Sequence, residues 1–358
     1  MKIASTTQER NIAFDFLRIL SAFSVVVLHV SSMYLMEYSV STTDFKIANF
    51  INSISRFGVP IFVMISGAIF LSEDKKIATG KLWKHNILRL FILYAVWSFA
   101  YYVFQSLYLW KFDFWRHGLV RTITGCVYAS NHFWFIFMII GLYALIPILR
   151  TWLHHSSETE QKYFIGLFVV FQILRTTLEI AIDKSLTTTI SELVEVTELT
   201  GYLGYFILGY FLTHYKTPQK AKWGLYASVP VGIVANYFIS DFLSVKYGYY
   251  SPGIYDSFGL FTFLHVVALF VFVNDMASKL QKGNRFIAFI KNLSLDTLGI
   301  YMMHIALLTF LMEEGIIWGQ GQVPVLAGTI LLSIVCFIVC AIVAAILRRI
   351  PFVGRYLS

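Results

Sequence analysis

The sequence predicts an all-α membrane protein, a polytopic bundle of about ten transmembrane helices with cytoplasmic N- and C-termini. Three observations predict it. The 358 residues are 58% hydrophobic and only 13% charged, with a mean hydropathy of +0.69. Apolar runs of about 18 to 25 residues recur from end to end, the length one helix needs to cross a bilayer. Basic residues fall unevenly on alternating connections, in the sense of the positive-inside rule. A transmembrane β-barrel would show short alternating segments instead. No polar stretch is long enough for a soluble domain, so residues 1–358 read as a single membrane domain.

The first span, 14–34, is too long for a signal-peptide core and lacks a clear small-residue cleavage site. The second, 47–71, contains Gly58 and Pro60, which can break a helix. Such breaks are tolerated in a membrane only where protein or a cavity surrounds them. The third and fourth run 86–109 and 131–153, and the segment 112–128 between them reads as interfacial or re-entrant. The fifth, 163–182, carries Arg175 and Glu179 at a spacing that lets them pair. The sixth, 200–214, is short and rich in glycine (Gly201, Gly204, Gly209). The last four are 223–242, 257–277, 294–312 and 323–347. The halves show no duplication of the kind found in inverted-repeat transporters.

With the N-terminus inside, about 19 lysines and arginines fall on the inner side and 6 on the outer. The net charge of +8 is therefore mostly a topology signal, and no nucleic-acid partner is expected. A minority of the inner cations suits a phosphorylated ligand. Cys126, Cys336 and Cys340 form neither an even disulfide set nor a metal-binding spacing. Cys336 and Cys340 lie one turn apart in an apolar run and read as packing residues, and no metal is expected.

Ionisable side chains inside a bilayer are costly and mark candidate sites. Arg18 and His29 both lie in the first span. Eleven residues bring them to within about 20° of one helical face and roughly 16 Å apart along the axis. Arg18 is near the cytoplasmic end and His29 is toward the outside. Arg56 in the second span is expected at a depth close to that of His29. It needs a partner or a water-filled cavity there. The run Asn131-His132-Phe133-Trp134-Phe135 opens the fourth span. Interfacial anchoring explains its aromatics but not Asn131 and His132. Tyr301 and His304 in the ninth span share a face. Asp15 is placed to cap the first helix or pair with Arg18. Tyr247, Tyr249, Tyr250 and Tyr255 on the outer side suit either a stacked sugar or the interface itself.

A buried histidine beside cations suits general-base activation of a hydroxyl. A nearby cation also stabilises a developing oxyanion. The chain has no Gly-x-Ser-x-Gly elbow, Cys/His motif or His-Glu-x-x-His zinc pattern. It offers a base without a covalent nucleophile, which favours direct transfer from an activated donor.

The chain resembles the acyltransferase type 3 family of integral-membrane O-acyltransferases. The matching pieces are Phe14-Asp15-x-x-Arg18-x10-His29, Arg56-x-x-x-Pro60-x-Phe-x-x-Ile-Ser66-Gly67, His132-Phe-Trp134-Phe and Leu298-Gly299-Ile-Tyr301-x-x-His304. They run in family order over almost the whole chain. The stretch Asn49-Phe-Ile-Asn52-Ser53-x-x-Arg56 looks like the branch that acetylates enterobacterial common antigen and related surface sugars. No appended SGNH hydrolase domain is seen. The resemblance implies acetyl-CoA, or another short acyl-CoA, as a cytoplasmic donor substrate, with no tightly bound cofactor. It implies a hydroxyl of a cell-envelope glycan or lipid-linked sugar as acceptor, in the bacterial cytoplasmic membrane. Carried over, His29 is the base and Arg18 contributes to the donor site. Arg56 binds donor or stabilises charge. Ser66 falls within the matched second-span motif and joins the donor or cavity group. His132, Trp134, Tyr301 and His304 line the cavity or acceptor site.

On this reading CoA phosphates sit near Arg18, with Lys84 or Arg89 as neighbours, and the thioester arrives near His29. Two other classes compete. A transporter or flippase would use Arg18, His29, Arg56 and His304 as an ion or proton pathway. A structural or sensory protein would explain the topology but not buried ionisable groups on several spans. Acceptor identity and oligomeric state are not legible, and a homo-oligomer stays open.

Overall fold

Helices carry almost all of the residues described by the computed structural model, which are 11–75, 77–109, 118–181, 198–251, 257–277, 285–315, 323–351 and 354. In chain order they are α1 (Ile12–Glu37), α2 (Thr43–Ile54), α3 (Gly58–Phe70), α4 (Thr79–Leu109), α5 (Gly118–Val127) and α6 (Asn131–His155). Then follow α7 (158–181), α8 (Glu198–His214), α9 (Gln219–Tyr247), α10 (Leu260–Ala277), α11 (Arg285–Ser294), α12 (Thr297–Glu313) and α13 (Val325–Arg349).

Seven spans are long and apolar enough to cross a bilayer: α1, the broken pair α2–α3, α4, α6, α9, α10 and α13. The pair α11–α12, bent by 60°, is a candidate eighth when its two helices are taken as one span. The chain is thus a multi-pass membrane protein. The other two expected spans are helical but differ from that count. The described part of α8 holds 17 residues, and α7 opens on the polar stretch Glu158–Lys162. Both border 182–197, outside the described residues, as does the Glu179 side chain of the expected Arg175 pair. Within 112–128, α5 is too short to cross and lies against α4, with Gly125 over the Tyr102 ring. Tyr255 also lies outside the described residues.

The bundle is apolar on its outside, as lipid requires. Phe238 and Phe242 lie one turn apart on α9 and are 62% and 66% exposed. Its centre is α1, which packs on α2, α3, α10, α11, α12 and α13. A helix apolar on all sides belongs in such a position. Asn11 caps it by accepting the Ala13 N–H at 2.9 Å.

Close approach of small residues joins α3 to α8. A Cβ on Gly67 would stand 1.7 Å from the Phe206 carbonyl oxygen, and one on Gly209 would stand 2.0 Å from that of Met64. Backbones pack this closely in membranes through dispersion rather than hydrophobic transfer. The end of α6 then caps α3: Arg150 donates to the carbonyls of Phe70 and Ser72 at 2.9 and 2.6 Å, and His154 Nε2 lies 2.9 Å from that of Leu71.

The expected break at Gly58 and Pro60 is present, and a second bend, in the ninth span, joins it. The second span stops at Ser55 and restarts at Gly58, with Pro60 in the first turn of α3 where its missing N–H costs nothing. The ninth is bent at Leu295–Asp296 and stapled on both sides. Ser294 Oγ donates to Asp15 at 2.6 Å, and Arg348 grips Asp296 through Nε at 2.7 Å and Nη2 at 3.3 Å. These bonds tie the start of α1, the α11–α12 bend and the end of α13 to one side of the bundle.

Candidate active site

Arg18 and His29 stand on α1 as the spacing predicts, and each meets a different group of residues. Arg18 donates to Asp15 at 3.1 Å. The Asp15 side chain is fully buried and that of Arg18 keeps 27% of its surface. Ser294 holds the same Asp15 oxygen. Arg18 is therefore fixed through α1 and α11 together.

Arg18 opens onto a cavity of about 200 Å³. Its walls come from α1, α3, α4, α6 and α12, and include Ser66, Phe135, Tyr143, Thr297 and Tyr301. Ser66 and Tyr143 face the same cavity. The charges of Arg18 and Arg89 also reach Tyr143. In the loop after α3, Lys75 sits over the Phe70 ring at 3.8 Å. Its pKa is lowered, first by burial and then by the charges of Arg150 and Arg18. Cations thus gather at the Arg18 end, with Glu73 near enough to act on Arg150.

His29 belongs to a cluster of three histidines. Its ring centroid is 5.1 Å from that of His304, which is 5.3 Å from that of His132. Tyr301 completes the group, 5.5 Å from His132 and 5.8 Å from His304. Its hydroxyl donates to the His132 carbonyl. Tyr301 therefore belongs both to the cavity and to the cluster, while the three histidines lie beyond it and do not line the cavity. His304 is fully buried and His132 nearly so; His29 keeps some accessible surface.

The cluster is held by residues with no role in the sequence argument. Tyr101 on α4 donates to the Met302 carbonyl at 2.8 Å and accepts the Ala306 N–H at 3.0 Å. Those two groups are the ends of one helical turn, the turn that bears His304. Ser130 Oγ bonds His132 Nδ1.

Arg56 is pinned across from His29. Its Nε and Nη2 donate to Asn52 Oδ1, and Nη2 also donates to Tyr250 at 2.8 Å. Asn52 Nδ2 donates to the Leu28 carbonyl at 3.2 Å and to Ser31 and Ser32 at 2.8 and 3.0 Å. The α2 terminus is thereby tied to α1 beside His29, and the Arg56 charge acts on His29. Asn52 lay within the recognised motif, but its reach to α1 depends on how two helices face each other. Tyr250 points inward to Arg56, while Tyr247 and Tyr249 are exposed.

The structure brings together Arg18, Ser66 and Tyr301 around the cavity, and His29, His132, Tyr301 and His304 in the cluster. Trp134 stands apart, its ring against Tyr202 of α8 at 5.6 Å, and neighbouring Phe135 faces the cavity instead. Among the described residues no group of His, Cys, Asp and Glu is arranged to hold a metal ion. The free cysteines Cys336 and Cys340 are buried.

A histidine with accessible surface, the Arg56 guanidinium beside it and a cavity at the cationic Arg18 end thus lie within one apolar bundle. Comparison with curated proteins returns no match, and neither does comparison with solved structures. The family model described as an acyltransferase domain, type 3, matches residues 11–348. Together with the membrane-spanning architecture, this match over nearly the whole length shows that the chain belongs to the membrane acyltransferases of that family.

Proposed function

We propose that the protein transfers an acetyl group, or another short acyl group, from acyl-CoA to a sugar hydroxyl of a bacterial cell-envelope glycan or lipid-linked sugar. The observation that carries this reading is the placement of Tyr301. It walls the Arg18 cavity on one side and touches His132 and His304 on the other. CoA phosphates bind at the cytoplasmic end with Arg18, Lys75 and Arg89, and the pantetheine arm occupies the cavity. The thioester passes Tyr301 to reach His29, and the acceptor comes from the opposite side of the membrane.

In the transfer, His29 takes the proton of the acceptor hydroxyl as its oxygen bonds to the acyl carbon. The carbon–sulfur bond breaks, and the thiolate takes the proton back from His29 to leave as CoA thiol. Arg56 stabilises charge beside that step. Support for an acetyl group and a surface sugar comes from the motif resemblance around Asn49 to Arg56.

The test is purified protein in proteoliposomes with labelled acetyl-CoA and an envelope-glycan fraction. The expected result is label on the glycan, lost in His29→Ala. Movement of substrate without transfer of label would instead support a carrier, and wild-type rates in His29→Ala would remove the base from the scheme.

A further inference from the structure

His304 is fully buried on α12, and its Nδ1 lies 2.6 Å from the Tyr301 carbonyl. A carbonyl only accepts, so Nδ1 carries the proton and Nε2 of the neutral ring keeps its lone pair. That Nε2 is buried and has no hydrogen-bond partner among the described residues. Buried polar atoms are seldom left unpaired, and each exception needs an explanation.

Two rings stand near enough to supply one. His132 engages Ser130 through Nδ1, and its own Nε2 is likewise buried without a partner among the described residues, but it keeps almost no surface for a substrate. His29 hydrogen-bonds no described residue, and its ring is the nearer, at 5.1 Å. A catalytic base must keep one nitrogen free for the substrate while something orients the other. Nothing else among the described residues does this for His29.

Resting on the reading of His29 as the base, we propose that His304 is its positioning residue. The Nε2 of His304 accepts the N–H of the far ring nitrogen of His29, which turns the unprotonated nitrogen toward the acceptor hydroxyl. It also stabilises the imidazolium formed when His29 takes that proton. Such bonds are often loose without substrate and tighten in the reacting complex. No proton passes into His304: the one taken from the hydroxyl returns to the thiolate. The Tyr101 hydroxyl, bridging Met302 and Ala306, fixes the turn from which His304 acts.

His304→Phe keeps a ring but removes the acceptor. His304→Gln places an amide oxygen near the position of Nε2. Acetyl transfer from acetyl-CoA to the envelope-glycan fraction is measured in proteoliposomes, with thermal unfolding followed alongside. The expected result is a fall in kcat of about 100-fold for His304→Phe at unchanged KM, and recovery to within about tenfold of wild type in His304→Gln. If the Phe variant does not fold, His304→Leu takes its place. Wild-type kcat without the acceptor overturns the proposal. So do equal losses in folded Phe (or Leu) and Gln variants, which would mark a packing role. Absence of transfer by the wild-type protein would instead overturn the function reading on which the proposal rests.

Discussion

Asn52 Oδ1 accepts both Nε and Nη2 of Arg56, at 2.9 and 2.5 Å, one helical turn away. Its amide nitrogen meanwhile holds three oxygens of α1. One side chain thus sets both the aim of Arg56 and the spacing of α2 from the turn before His29.

Asn52→Leu takes from the guanidinium the oxygen that Nε and Nη2 share, and removes the amide that ties α2 to Leu28, Ser31 and Ser32. The expected cost is about 1–3 kcal/mol of stability, read from thermal unfolding in detergent, with a loss of transfer activity. Arg56→Lys is expected to lose activity at nearly wild-type stability, because an ammonium cannot reproduce the fork that spans Asn52 and Tyr250.

Under the proposed function, Asp15 bears on donor binding through Arg18. Asp15→Asn preserves shape and can still bond Ser294, but removes the charge that holds the guanidinium. Titration with CoA is expected to show affinity weakened by about tenfold, since a charge-assisted bond is worth roughly 1.5–3 kcal/mol. Arg18→Ala is expected to weaken it further. Unchanged CoA affinity in both would place the phosphates elsewhere.

If Lys75 binds the donor as proposed, binding depends on pH with a definite sign. Burial, Arg150 and Arg18 all disfavour its charged form in the empty protein. A bound polyanion favours that form and raises the pKa. Binding therefore takes up a proton in the window between the two values, and affinity falls as pH rises through it. Calorimetry in buffers of different ionisation enthalpy should show the uptake, and Lys75→Met should abolish it. Proton release on binding would contradict the assignment.

Gly67 has no room for a side chain against the Phe206 carbonyl. Gly67→Ala must part α3 from α8, at about 1–3 kcal/mol for an overpacked contact. Neighbouring Ser66 would move with it. A variant with wild-type thermal stability would show that the contact is looser than the geometry implies.

The architecture was largely legible in the sequence because apolar length and charge bias are local signals. The break at Gly58 and Pro60 followed from backbone chemistry, while for Asp15 the sequence left capping and pairing with Arg18 as alternatives, of which the pair forms. The bend at Asp296 was harder to read, since its cause is tertiary: Ser294 bonds Asp15, and Arg348 arrives from the last helix. The site was legible in the same uneven way. Histidines in apolar runs announce themselves by their cost. Tyr101, which holds the turn of His304, and Tyr250, which holds Arg56, look like ordinary interfacial aromatics until their partners are known. Trp134 carried a motif signal, yet faces Tyr202.

Tyr301 has a consequence for economy of the donor. Under the proposed function, the Tyr301 ring stands between a thioester in the Arg18 cavity and the histidine cluster. Water activated by His29 would otherwise cleave the thioester in every idle cycle. On that function the ring makes the encounter of donor and base conditional, which favours transfer to the acceptor over hydrolysis. Tyr301→Ala should expose this as acceptor-independent release of CoA thiol, followed with a thiol reagent. A variant as silent without acceptor as the wild type would show that water is kept out by other means.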